Sequence, residues 1–256
     1  MDNEGKIDSS LNQGIGTISF YHPRSNSLPG KLLNALAGEF EKFSHLAECM
    51  VIVLKSEGNK AFCAGASFDE LLSIKNLSEG KEFFMGFARV INAMRKCSQF
   101  IIARIQGKIV GGGVGLASAA DYVLALDSAS VRLSELTLGI GPFVISAVVE
   151  RKIGKSALGE MALDTEWKSP EWAVQKGLYN KLLPSIEDLD KAVNALASKL
   201  AASNPRSMVD IKKMLWRGTE NWDELLEQEA EISSKHALSE YTIKHINEFK
   251  KGSERP

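Results

Sequence analysis

Residues 107–123 read GKIVGGGVGLASAADYV, and of the five residues 111–115 only Val114 is not glycine. Glycine in a helix or strand costs roughly 0.5–1 kcal/mol per position relative to alanine. Apolar residues make up 44% of this chain and charged residues 25%, the balance of an ordinary packed globular protein. Four glycines together therefore call for a local reason, and the run carries no acid, base or nucleophile of its own. Upstream lies FIIARIQG (100–107), a short continuous apolar run that predicts a buried strand. Downstream, GLASAA predicts the start of a helix, and DYVLALD (121–127) a further strand. The glycines thus sit where a buried strand turns into a helix.

Farther out the same alternation continues. GIGTISF (14–20) and MVIVLKS (50–56) predict strands, and residues 28–43 and 79–97 predict helices, the first with Pro29 suited to an initial turn. This is the pattern of an α/β protein with a parallel sheet. Beyond Pro184, which closes the strand-like YNKLLP, the pattern is helical: 185–203, 204–218, 221–238 and a last segment to about Phe249. Ser185 and Asp188 form a capping-box variant at the first of these. The division expected is residues 1–184 as the core with the site and 185–256 as a helical region, with KKGSERP a frayed end. Apolar stripes on a helical tail pack on a neighbouring subunit or fold back on their own core, and both readings stay open.

Several classes of function are disfavoured. With 31 Lys and Arg against 32 Asp and Glu, the net charge is -1, so no basic excess points to nucleic acid. No apolar run approaches the roughly 20 residues that span a membrane. The start, MDNEGKIDSS, is polar and acidic, unlike a signal peptide. Cys49, Cys63 and Cys97 are widely separated and read as buried thiols of a reducing cytoplasm. His22, His45, His236 and His245 show no metal-ligand spacing and read as solvated or capping residues. No metal or redox cofactor is expected.

A second loop resembles the first in context. In KAFCAGASFDEL (60–71), small residues follow the strand at 50–56 and lead into a helix. A helix start offers free N–H groups and the positive end of the helix dipole. Two such loops facing each other supply two convergent donors, an oxyanion hole for charge developing on a carbonyl oxygen. The run GGGVG lacks the GK[ST] of a phosphate-binding loop, and Leu116 breaks the dinucleotide fingerprint. Glycine for tight helix–sheet packing is the competing reading.

KAFCAGASFDEL, QGKIVGGGVGLASAADYVLA and VRLSELTLGI together resemble the signature of the crotonase, or enoyl-CoA hydratase/isomerase, superfamily, over about residues 12–250. The resemblance implies a repeated ββα superhelical core, a C-terminal helical trimerisation region and a homotrimer or dimer of trimers. It implies an acyl-CoA substrate, coenzyme A entering as part of that substrate, with Ala66 and Gly112 as the two oxyanion donors. Hydratases of this family carry two glutamates that hold a water. Here the first position is Gly115 and the second is Glu135. The following loop also departs, with Pro142 shifted by one and Phe143 where a water-facing glycine is usual.

One carboxyl suffices to carry a proton between two carbons, which suits a Δ3,Δ2-enoyl-CoA isomerase or a decarboxylase of the same fold. Hydration of a short or branched 2-enoyl-CoA is the family's commonest activity and stands first on that ground. A non-catalytic acyl-CoA-binding member is the third reading. By position in the family, coenzyme A contacts would be Arg24, Ala61, Ala64, Gly65 and Gly111, with Phe249 and Lys250 from a neighbouring subunit. An acyl pocket would use Phe68, Leu71, Leu72, Phe83 or Phe84, and Phe143. Asp69 and Glu70 read as first-turn acids serving a helix dipole, and Asp121 as structural.

Overall fold

The computed structural model describes residues 4–245. The chain opens with an antiparallel pair, β1 (Lys6–Asn12) and β2 (Ile15–Tyr21), followed by α1 (Gly30–Ser44). Three strand-strand-helix units come next. The first is β3 (Val51–Ser56) and β4 (Ala61–Cys63) with α2 (Phe68–Ser73) and α3 (Leu77–Lys96). The second is β5 (Phe100–Ile105), β6 (Lys108–Val110) and α4 (Gly112–Ala119). The third is β7 (Tyr122–Leu126), β8 (Val131–Arg132), a 3-10 turn (Glu135–Leu138) and α5 (Phe143–Leu163). Then follow α6 (Pro170–Gln175), β9 (Lys181–Leu183), α7 (Ile186–Ala201), α8 (Pro205–Leu215) and α9 (Trp222–Ala237).

In each unit the first strand joins one sheet and the second strand joins another. The large sheet has the order β1-β2-β3-β5-β7-β9 and is parallel beyond β2. The small sheet, β4-β6-β8, is parallel throughout. This is the repeated ββα superhelix that the sequence motifs imply. The continuous apolar runs explain the large sheet: β3 and β5 are buried on both faces, α1 covering one side with Leu33, Leu36 and Phe40, and α7 the other with Leu189, Val193 and Ala197. α1 begins one residue after Pro29, which is its N-cap rather than part of its first turn. Residues 6–10, read only as part of a polar and acidic start, belong to the edge strand β1, which gains its order from the register Lys6↔Tyr21 to Asn12↔Ile15 with β2. The histidines divide: His45 caps α1, as expected, whereas His22 is buried rather than solvated.

The helical region closes back on the core. α9 lies along α3 and α5, burying Leu226 and Ala230, and Lys81 reaches Glu227 and Glu231 at 2.6 and 2.8 Å. Asp121 anchors α8. One of its oxygens accepts from the Ile101 N–H (2.8 Å) and from Lys212 Nζ (2.5 Å), the other from Trp216 Nε1 (3.0 Å). Ser185 caps α7 as read from sequence. The three cysteines are buried free thiols. Among the described residues no helix is long and apolar enough to cross a membrane.

Candidate active site

The two small-residue loops meet. Gly65 takes φ 89°, and a Cβ built on it would lie 3.6 Å from the amide nitrogen of Gly112. The first loop is held by alternate hydrogen bonds to Leu28: the Leu28 N–H donates to Gly65 O (2.8 Å) and the Ser67 N–H to Leu28 O (3.2 Å). That alternation skips Ala66, whose N–H has no acceptor among the described residues. In the second loop the Gly111 N–H donates to Arg132 O (3.0 Å), leaving the Gly112 N–H, first of α4, equally free. Ala66 and Gly112 line the same cavity, of about 400 Å³.

The glycine run answers to one backbone conformation and three close contacts. Gly111 takes φ 54°, ψ -119°, a backbone shape that side chains resist. A Cβ on Gly112 would fall 2.3 Å from Phe87 Cζ, on Gly113 2.5 Å from the Cys63 carbonyl, and on Gly115 2.6 Å from Ile145 Cγ2. The packing reading therefore holds at Gly112, Gly113 and Gly115, while Gly111 and Gly112 also line the cavity.

Glu135 opens the 3-10 turn and lines this cavity. The Ile140 N–H donates to its carbonyl at 3.0 Å, closing the turn. Its Oε2 is buried with no hydrogen-bond partner. Burial pushes the carboxyl up to about 7, against a smaller opposing pull from the backbone N–H groups of residues 135 and 134. A carboxyl so poised is present in both forms near neutral pH, as an acid–base group requires.

The remaining wall is apolar and aromatic: Phe68, Leu71, Phe83, Phe84, Phe87 and Phe143 line it, as does Ile145. Phe143 stacks on His236 of α9, ring centroids 5.2 Å apart, so the helical region closes one side of the cavity. Arg24, Ala64, Gly65 and Gly111 also line it. Arg24 is exposed and its Nη1 pairs with Asp69. Glu70 does more than serve its own helix: its Oε2 accepts from the Gly30 N–H at 2.8 Å and so holds the start of α1. Ala61 and Leu72 stand outside the lining; the Ala61 carbonyl accepts from Asn26 Nδ2 at 2.9 Å. Phe249 and Lys250 lie outside the described residues. Sequence reading missed Phe87, Ile145 and Ser233, because apolar and small residues inside helices carry no local mark of a cavity. Among the described residues no cluster of three His, Cys, Asp or Glu could hold a metal ion.

The sequence pattern of the family described as enoyl-CoA hydratase/isomerase matches residues 10–255. A probable enoyl-CoA hydratase of Bacillus subtilis (strain 168) is 26% identical over 211 residues, covering 82% of this chain and 81% of its own. A carnitinyl-CoA dehydratase of Proteus mirabilis (strain HI4320) is 26% identical over 198 residues, covering 77% of this chain and 74% of its own. The crystal structure of an enoyl-CoA hydratase from Bacillus halodurans superposes with a TM-score of 0.88 at 20% identity, covering 94% of this chain and 99% of that one, and shows the same fold. The free amide pair, the buried carboxyl and these matches agree: the chain belongs to the enoyl-CoA hydratase/isomerase family of the crotonase superfamily, whose members act on acyl-CoA thioesters.

Proposed function

We propose that the protein shifts the double bond of a 3-enoyl-CoA to the 2-position, with Glu135 as its single proton carrier. The observation that carries this reading is the apolar filling at position 115: Ile145 Cγ2 stands 2.6 Å from where a Cβ would begin. Among the described residues Glu135 is the only carboxyl that lines the cavity, so none beside it holds a water. The thioester oxygen accepts from the N–H groups of Ala66 and Gly112. The Glu135 carboxylate takes a proton from C2, and the C–H electron pair moves through C1 onto that oxygen as a dienolate. The protonated Glu135 then returns its proton to C4, and the double bond re-forms between C2 and C3. No water is consumed, and the chemistry calls for no group beyond the coenzyme A that the substrate brings. Two preorganised donors on the developing oxyanion are the largest single contribution, each worth about 10²–10³ in rate.

A second reading, reversible hydration of a 2-enoyl-CoA, is supported by the relatives named as a probable enoyl-CoA hydratase and a carnitinyl-CoA dehydratase. There Glu135 alone would activate the water. Acyl-CoA decarboxylation would use the same oxyanion hole. Arg24, Ala64, Gly65 and Gly111 are proposed to contact coenzyme A, with Phe249 and Lys250 of a neighbour in a cytoplasmic homotrimer or dimer of trimers. Light scattering on the purified protein tests that assembly.

The deciding assay offers a short 2-enoyl-CoA and its 3-enoyl isomer side by side and follows the conjugated thioester absorbance. Its appearance from the 3-enoyl substrate, with none lost from the 2-enoyl one, supports isomerisation. Loss from the 2-enoyl substrate would replace it with hydration, and Glu135→Gln should abolish whichever occurs.

A further inference from the structure

We propose that Thr242 is a positioning residue for Glu135: from the segment that follows α9, its hydroxyl latches the turn that carries the carboxyl. The inference rests on the proposed role of Glu135 as proton carrier.

Glu135 sits on a single 3-10 turn of four residues, a geometry with weak hydrogen bonds and little rigidity of its own. On its outer side Leu136 is 50% exposed. The turn ends on Gly139 with φ 81°. Here the chain receives an outside hold: Thr242 Oγ1 donates to the Gly139 carbonyl at 3.0 Å. Thr242 is 0% exposed. Its hydroxyl accepts from Ser239 Oγ at 3.0 Å, and its N–H donates to the same Ser239 oxygen at 3.3 Å, so the latch is itself fixed. A Cβ on Gly139 would lie 2.7 Å from Thr242 Oγ1 and 2.9 Å from Tyr241 Cδ1. The missing side chain is what lets this segment rest on the turn.

On the inner side, Leu138 and Ile140 face the cavity, and the Ile140 N–H holds the Glu135 carbonyl at 3.0 Å. Gly139 is thus the link between the acyl cavity inside and Thr242 outside. The margin at the other end is small: the Cβ position of Gly111 is 3.0 Å from Glu135 Oε1. Misplacing a catalytic group by about 1 Å can cost roughly a hundredfold in rate. Among the described residues the charged and titratable groups near the turn include Arg24 on the same cavity, His236 behind Phe143, and Tyr241 and His245, which stack at 4.7 Å. None of these contributes to the raised proton affinity of Glu135, which comes from burial.

The test compares Thr242→Val, which keeps the shape and loses the hydroxyl, with Thr242→Ser, which keeps the hydroxyl. For Thr242→Val, kcat on whichever enoyl-CoA isomer the enzyme turns over is expected to fall about tenfold to a hundredfold. KM should hold, because the amide pair and Arg24 are untouched. Thr242→Ser should recover most of the rate. The Glu135 carboxyl, followed by carbon NMR, should titrate below its value of about 7 in Thr242→Val as water reaches Oε2. Unchanged kcat and titration in a folded Thr242→Val protein would overturn the latch. So would equal losses in the two variants, or a rise in KM alone. Full turnover by Glu135→Gln would instead overturn the proton-carrier reading, and the Glu135 titration in Thr242→Val would still report on the latch alone.

Discussion

Ile145 and Gly115 divide one space between them. The Cγ2 methyl of Ile145 lies 2.6 Å from the Cβ position of Gly115, so a side chain at 115 requires a smaller residue at 145. Both lie in buried helix, α4 and α5, where neither backbone can yield cheaply. Ile145, from this pair, lines the same cavity as Glu135.

Gly115→Glu alone should therefore be poorly tolerated. Overpacking costs about 1–3 kcal/mol, and the new carboxyl is buried as well. Adding Ile145→Ala opens the space, so the double variant should melt above the single one and gain hydration of a 2-enoyl-CoA. Thermal melts and the absorbance assay check both. A single variant that melts like the wild type would refute the packing argument.

Glu135 should cost stability as well as supply chemistry. Its folded-state affinity for a proton, about 7 against 4.5, is raised, so the folded protein binds more protons than the unfolded chain between those values. Stability then falls as pH rises through that window, and the cost is complete above about pH 7. The shift corresponds to about 3 kcal/mol. Glu135→Gln should be more stable than wild type at pH 8, by up to that amount, and little different at pH 4.5. Urea unfolding at the two pH values measures it. In turnover, kcat/KM should rise through about pH 7 if the carboxylate takes the C2 proton, and Glu135→Gln should lose about 10²–10⁴ in rate.

The same substitution should act oppositely at different glycines. Gly38 in α1 and Gly159 in α5 have open space where a Cβ would go. Alanine at either should add about 0.5–1 kcal/mol, the helix cost of glycine. Gly112→Ala meets Phe87 Cζ at 2.3 Å and must shift the ring or the amide. If the amide moves, kcat should drop by about 10²–10³, the worth of one oxyanion donor. Melting curves and kcat for the three variants make the comparison; wild-type kcat in Gly112→Ala with Phe87 still in place would remove its amide from the mechanism, whereas wild-type kcat with the ring displaced means that the ring gave way.

Arg24 at the rim is held by Asp69, and both are exposed. Such a pair adds about 0–1 kcal/mol to stability, so its breakage should leave the fold intact. Asp69→Asn frees the guanidinium for a coenzyme A phosphate and should lower KM, more at low salt than at high salt. Arg24→Ala should raise KM without changing kcat. A KM indifferent to both substitutions would take Arg24 out of the binding site.

Much of this protein was determined by its sequence alone. Continuous apolar runs set β3, β5 and β7, and helical periodicity set α1, α3 and α7, because local burial patterns fix local structure. The two small-residue loops and Glu135 were legible as candidates too, and the fold brings all three to one cavity. Other features came only with tertiary structure. β1 exists as a strand because β2 offers it an edge. The cavity wall joins Phe87 to Ile145 and Ser233, from three helices far apart in the chain. The Glu135 carboxyl owes its proton affinity to burial, which no neighbour in sequence supplies. Thr242 meets Gly139 across 103 residues. Periodicity records which face of an element is buried; which residue lies opposite is decided by how the chain closes on itself.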